Sequence, residues 1–222
     1  SKWVYYGPYM GDGRMRYGKQ TIDGEKYRFN MITGEVCDSY FKLYLDAGHG
    51  QGSSFDDVWD PGAIGSGYQE ANLTSELVDL VAAECRDRYG LDVHENKAGN
   101  YRNRQEEAQL LGCSTFVSVH FNSGGGSGVE SYIHTNPHMG SAALQDYVHL
   151  GLVSGFEGSL IDRGQHQAQL AVCANRMPAT LLEMCFIDNP SDMSLYQSHK
   201  MQLARFIAAA IFEASKDDAC IQ

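Results

Sequence analysis

From residue 41 onward, short apolar stretches alternate with longer stretches of helical period. Neighbouring parallel strands need a crossover between them, usually a helix, so this alternation points to a parallel sheet. Strands are expected over 41–46, 91–94, 115–121, 128–134, 169–173 and 180–186. Helices are expected over 72–89, 104–111, 141–153 and 199–214. The first helix puts Leu73, Leu77, Leu80, Val81 and Cys85 on one face and stops at Gly90. The last turns Leu203, Phe206, Ile207, Ala210 and Ile211 inward. The fold class that follows is α/β: a mainly parallel, twisted sheet flanked by helices on both faces.

Residues 1–40 have a different texture. Trp3, Tyr5, Tyr6, Tyr9, Tyr17, Tyr27, Phe29 and Tyr40 lie among glycines at 7, 11, 13, 18, 24 and 34. Short aromatic strands with glycine turns read as a small N-terminal β-hairpin segment. A faint repeat runs through it. Trp3-Val4-Tyr5-Tyr6 leading to Gly13-Arg14-Met15 is echoed by Lys26-Tyr27-Arg28-Phe29 leading to Thr33-Gly34-Glu35-Val36. One hairpin cannot cover its own apolar face, so such units normally stack. The chain therefore divides at about residue 40, into hairpin repeats (1–40) and an α/β domain (41–222).

The formal net charge is −11. That disfavours nucleic acid, whose binding rests on Lys and Arg neutralising phosphates. No apolar run approaches a membrane span, and the first residues do not read as a signal peptide. None of the six cysteines forms a CxxC pair, which argues against a structural zinc site. Cys85, Cys113, Cys173 and Cys185 fall in apolar segments and are expected to be small buried thiols. Cys37 and Cys220 are expected to be exposed.

Polar residues at the strand ends carry the chemistry. His49 follows the first strand, flanked by Gly48 and Gly50. His120 ends the strand 115–121, and Glu183 lies near the end of 180–186. In an open parallel sheet, ligands bind beyond the carboxyl ends of the strands, so these three can converge. Glu70 stands at the mouth of the first helix, where the helix dipole favours a carboxylate. Two imidazoles and one carboxylate suit a zinc ion and leave a fourth position for water. His49, Glu70 and His120 are the candidate ligands. Glu183, in an apolar strand that should raise its pKa, is the candidate acid–base catalyst.

An ordered set of motifs adds to this. It comprises Leu45-Asp46-Ala47-Gly48-His49-Gly50, Asp60-Pro61-Gly62-Ala63-Ile64-Gly65, Glu70, Ser118-Val119-His120-Phe121-Asn122 and Gly128-Val129-Glu130. It continues with Asp162-Arg163-Gly164, Met177-Pro178-Ala179-Thr180-Leu181-Leu182-Glu183 and Phe186-Ile187-Asp188-Asn189-Pro190. Together these resemble the type 3 N-acetylmuramoyl-L-alanine amidases from about residue 43 to the end. The resemblance implies an α/β fold with a parallel twisted sheet. It implies one zinc and hydrolysis of the amide between N-acetylmuramic acid and L-alanine in peptidoglycan, at the cell wall or outside the cell. Its zinc ligands fall on His49, Glu70 and His120, and its catalytic glutamate on Glu183. The aromatic hairpins resemble cell-wall-binding repeats of the choline-binding type. In that role Trp3, Met15 and Tyr27 would contribute to a cage for a quaternary ammonium; otherwise they staple the hairpins to the larger domain.

The chain departs from the family pattern in two places. Residues 51–58 form an acidic, Ser-rich insertion at the rim. The stretch between His120 and Glu183 lacks the inhibitory helix some relatives place over the zinc, implying an open site. Asp46, Asn122 and Glu130 are expected either to orient the ligands or to be purely structural. Arg163 is expected to bind a substrate carboxylate or to form a structural ion pair. If Glu183 were not catalytic, Arg104 or Arg163 would be its ion-pair partner. His94, His134, His138, His149, His166 and His199 read as structural or surface residues. Two other functions compete: a non-catalytic wall-binding protein with the aromatic hairpins as its active part, against which the four retained site residues argue, and a zinc hydrolase of another wall amide such as a peptide crosslink.

Overall fold

The structure, a computed structural model, describes residues 18–22, 24–29, 34, 36, 40–54 and 57–221. A hairpin of β1 (Gly18–Ile22) and β2 (Glu25–Phe29) comes first. Then follow β3 (Lys42–Gln51), β4 (Trp59–Asp60), β5 (Ile64–Gly65), β6 (Tyr68–Gln69) and α1 (Glu70–Tyr89). Next are β7 (Asp92–Ala98), α2 (Tyr101–Leu110), β8 (Thr115–Asn122), β9 (Val129–His134) and α3 (Ser141–Gly155). After these come β10 (Asp162–Ala168), β11 (Ala179–Phe186) and α4 (Pro190–Ala214), with a short turn at Asp218–Cys220.

The central sheet runs β10-β9-β11-β8-β3, with β7 and the short β4 also paired to β3. β3, β7, β8 and β11 are mutually parallel. β9 runs against β11 and takes β10 with it in parallel. The sheet is thus parallel through its centre and reversed at one side.

Side chains alternate across a strand, so each strand feeds two faces. On one face Leu43, Leu45, Val117, Val119 and Leu182 are buried beneath α1, α3 and α4. On the other, Tyr44, Phe116 and Ala179 form a small cluster with Ala108 of α2, Cys113 and Met177. Tyr44 and Phe116 stack there at 5.0 Å. Helices therefore cover both faces, three on one and one on the other.

Several boundaries differ from the sequence expectation. The strand expected over 169–173 is a short turn, Ala171–Cys173, and the strand lies just before it, in β10. β10 is an edge strand with most side chains exposed, so it has no apolar alternation to announce it. The last helix begins at Pro190, nine residues earlier than expected. Asn189 caps it, its side chain accepting from the Ser191 and Asp192 amides, and proline suits the first turn. Phe206, expected inside, is 42% exposed. Cys220, expected exposed, is buried, and its carbonyl accepts from Thr115 Oγ1 at 2.8 Å. Cys85, Cys113, Cys173 and Cys185 are buried as expected.

Of the N-terminal aromatics, Trp3, Tyr5, Tyr6, Tyr9 and Tyr17 lie outside the described residues, as do Met15 and Cys37. In the described hairpin, Tyr27 is exposed and Phe29 is buried. Arg28 fastens the hairpin to the larger domain. Its Nε donates to the Tyr40 carbonyl at 2.8 Å and its Nη1 to the Gly112 carbonyl beyond α2.

Candidate metal centre

His49 sits on a turn near the end of β3 with φ +66, in the left-handed region. This conformation is strained for most residues and is held only where the surroundings fix it. Thr74 of α1 bonds the Gly48 carbonyl at 2.8 Å. From α2, Arg104 Nη1 donates to the Ala47 carbonyl and Nη2 to the His49 carbonyl, both at 2.5 Å. Arg104 is itself held by Asp46 at 2.6 Å, and Asp46 accepts from Ser118 Oγ at 2.6 Å. This buried cluster fixes the backbone at His49.

The ring of His49 is fixed separately. Its Nδ1 lies 2.8 Å from Asp60 Oδ2, which leaves Nε2 toward Glu70 Oε2 at 3.1 Å. Glu70 opens α1 and also receives the Ala63 amide at 2.9 Å and the Phe121 amide at 3.0 Å. Its Oε1 is 3.0 Å from His120 Nδ1. The two imidazoles stand edge to face, with ring centroids 5.1 Å apart. One ligand atom from each of His49, Glu70 and His120 falls within 4.8 Å of the others. Glycine is needed at two points around them. A Cβ on Gly48 would collide with the His120 ring, and one on Gly62 (φ +65) would come within 2.7 Å of Glu70 Oε2 and the His49 ring.

The donor set fits a zinc ion: two imidazole nitrogens and a carboxylate oxygen, gathered in a pocket that glycines keep clear. Burial alone would lower the His49 pKa, but the Glu70 carboxylate and then Asp60 outweigh it and bring it up to about 9. Burial alone would raise that of Glu70, but His120 and His49 outweigh it and hold the carboxyl well below its usual range. A cation in this pocket would displace such protons, since metal ligands bind deprotonated.

Glu183 lies beside this group. It is in register with His120 across the β11–β8 pair, on the face away from the large core. Its Oε2 is shut off from solvent with no hydrogen-bond partner among the described residues. Burial pushes its carboxyl up to about 7; the Glu70 and Glu130 carboxylates add to the rise, and the nearby imidazoles oppose it. Neither Arg104 nor Arg163 pairs with it: Arg104 is taken by Asp46, and Arg163 by Glu130 at 2.9 Å. A cleft of about 290 Å³ joins His49, His120 and Glu183, with Tyr101 and Leu170 among its walls. α3 lies on the opposite face, packed on α4, β9 and β11, so it does not roof the cleft.

Sequence reasoning missed Asp60. It lies within the Asp-Pro-Gly motif, and its carboxylate holds His49 Nδ1 while Glu70 faces Nε2. The signal was local: in Asp-Pro-Gly the aspartate caps its own turn, here accepting from the Gly62 amide at 2.9 Å. Of the expected orienting residues, Asp46 acts on the His49 backbone through Arg104. Asn122 donates to Glu130 instead. In the 51–58 insertion, Gly52 bonds the Val58 carbonyl at 3.0 Å. Ser53 lines the cleft and bonds Asp60. Residues 55 and 56 lie outside the described residues.

Residues 43–213 match the family described as N-acetylmuramoyl-L-alanine amidase, which is more than half of the chain. A sporulation-specific N-acetylmuramoyl-L-alanine amidase of Bacillus subtilis (strain 168) is 32% identical over 182 residues, 75% of this chain and 62% of that protein. An endolysin of Bacillus phage SPP1 is 31% identical over 162 residues, 69% of this chain and 57% of that protein. The chain thus spans about three fifths of the length of these curated relatives. Among solved structures, an N-acetylmuramoyl-L-alanine amidase from Clostridium difficile 630 superposes with a TM-score of 0.71 at 22% identity. That match covers 81% of this chain and all of the other. The catalytic domain of CwlV, an N-acetylmuramoyl-L-alanine amidase from Bacillus (Paenibacillus) polymyxa var. colistinus, gives 0.68 at 26% identity, over 78% of this chain and 97% of its own.

Proposed function

The chain belongs to the N-acetylmuramoyl-L-alanine amidase family, and from that premise we propose that it hydrolyses the amide between N-acetylmuramic acid and L-alanine in peptidoglycan. The observation that supports this most directly is the meeting of His49, Glu70 and His120 beside a cleft that also holds Glu183, whose buried Oε2 has no hydrogen-bond partner among the described residues. His49, Glu70 and His120 would hold Zn²⁺. When bound, the ion supplies Lewis acidity and lowers the pKa of water in its open position.

The chain's own residues do the rest. Asp60 keeps the His49 ring turned so that Nε2 faces the centre, and the Ala63 and Phe121 amides fix both oxygens of Glu70. Glu183, poised near neutrality, takes a proton from the attacking water and passes it to the departing alanine nitrogen. The new carboxyl stays on the muramic acid and the new amine on the peptide.

Digestion of purified walls, followed by mass spectrometry of the fragments, tests this. Free L-alanine amino termini and intact muramic lactyl carboxyls are expected. New termini within the peptide would instead mean a crosslink hydrolase, and binding without new termini a non-catalytic wall protein. His49→Ala is expected to lower zinc content.

Residues 41–222 would be the catalytic domain and residues 1–40 a wall-contacting segment. The exposed Tyr27 ring on the β1–β2 hairpin supports a contact with choline or another wall group. Retention on immobilised choline tests that contact, and loss of retention in Tyr27→Ala is the expected result. Action would be at the cell wall, outside the cell, as an autolysin or a phage endolysin.

A further inference from the structure

The polar face of the sheet carries a row of charged groups that continues beyond the cleft. Register places Glu183 beside His120, and Glu130 of β9 beside Glu183. Arg163 of β10 stands next in the row, paired to Glu130. Glu130 is buried, yet it touches none of the three ligand residues. Asn122 donates to its Oε1, Arg163 Nε donates to its Oε2 at 2.9 Å, and His166 Nε2 stands 3.6 Å from Oε2.

The Arg163 guanidinium is held from two sides. Glu130 takes Nε, and the Phe186 ring lies 5.0 Å below the guanidinium carbon. Its two terminal nitrogens have no partner among the described residues, and the side chain is 40% exposed. A planar fork already fixed at one edge, with the other edge open to solvent, is built to take a carboxylate bidentately. At about 4.8 Å per strand, Arg163 is three strands, or about 14 Å, from His120. An extended peptide covers that distance in about four residues.

We propose that Arg163 is an anion subsite beyond the edge of this cleft, binding a carboxylate of the stem peptide a few residues past the scissile amide. This rests on the amidase activity proposed above and adds a direction to it. In an N-acetylmuramoyl peptide the muramic carboxyl is consumed in the scissile bond, so the sugar side carries no free carboxylate. The peptide therefore runs from His120 across β11 and β9 toward β10, and the glycan leaves on the β3 side. In a chain with net charge −11, an oriented cation in this row gives the anionic end of the substrate a place to dock.

The test uses the zinc-loaded enzyme and two soluble N-acetylmuramoyl tetrapeptides, one with free carboxylates and one with every peptide carboxylate converted to carboxamide. Wild type is expected to prefer the free form by about tenfold or more in kcat/KM, mostly through KM. Arg163→Met is expected to bring that ratio near one. Arg163→Lys, which keeps a charge over Glu130, is expected to fall between. Equal rates on both substrates in the wild type would overturn the subsite while leaving the amidase proposal intact. No release of muramic acid from either would overturn both. An unchanged preference in a folded Arg163→Met protein would also overturn the subsite. The wild-type comparison needs no variant, so misfolding cannot shelter the idea.

Discussion

Leu182 and Glu183 are neighbours in β11, and they live in different solvents. Leu182 points into the core under α1, α3 and α4. Glu183 points to the opposite face, which α2 and the Ala171–Cys173 turn flank, into a cleft with His49 and His120. The same alternation separates Leu45 from Asp46 and Val119 from His120. One face is a continuous apolar core that carries the stability. The other is a small apolar cluster at one end of the strands and a polar site at the other. Because the period of a strand is two, both jobs are written on the same few strands without interfering.

The largest effect should come from the polar face. Glu183→Ala is expected to lower kcat on a soluble muramoyl peptide by about 10²–10⁴-fold. Zinc content and thermal midpoint should hold, because the buried Glu183 Oε2 has no hydrogen-bond partner among the described residues to lose. A large drop in midpoint would mean that Glu183 is structural.

Next comes the buried pair behind the turn. Arg104→Met leaves Asp46 uncompensated and frees the Ala47 and His49 carbonyls. Urea unfolding should show a loss of about 3–5 kcal/mol. Unlike a core change, it should also weaken zinc retention in the folded protein.

Leu182→Ala gives the opposite profile. Stability should fall by about 2–5 kcal/mol, with kcat per folded molecule retained. If activity fell in parallel, the two faces would not be independent.

A smaller effect depends on pH. Glu183 has a carboxyl raised from its ordinary 4.5 to about 7 in the metal-free protein. Between those values the folded form holds a proton that the unfolded chain has released. Stability of the stripped protein should therefore decline as pH rises from about 4.5 to 7, by roughly 2–3 kcal/mol. Glu183→Gln should remove that slope, as a difference between the two pH–stability curves.

The parallel centre of the fold was legible because β3, β8 and β11 are buried on both sides and read as apolar runs. β10 was not, because an edge strand with exposed faces has nothing to alternate. The early start of α4 was hidden in Asn189-Pro190, a cap followed by a first-turn proline, at the end of a recognisable motif. At the site, the ligand residues were legible from donor type and strand ends. Asp60 was not, because hydrogen bonding to a ring eleven positions earlier depends on how the intervening loop folds back. Glu130 and Arg163 were visible as candidates, but only register shows them standing in line with Glu183.

The grip of Arg104 on both ends of the His49 turn ties that turn to α2, a ten-residue helix begun by the Asn100 cap, whose side chain accepts from the Arg102 and Asn103 amides. Asn100→Ala, the mildest change considered, should weaken this helix by about 1 kcal/mol. Warming such a protein should silence it before it melts: the thin side lets go while the thick side is still whole. Shelf life and melting point would then be separate properties, and assays that follow bulk unfolding would overlook the earlier event.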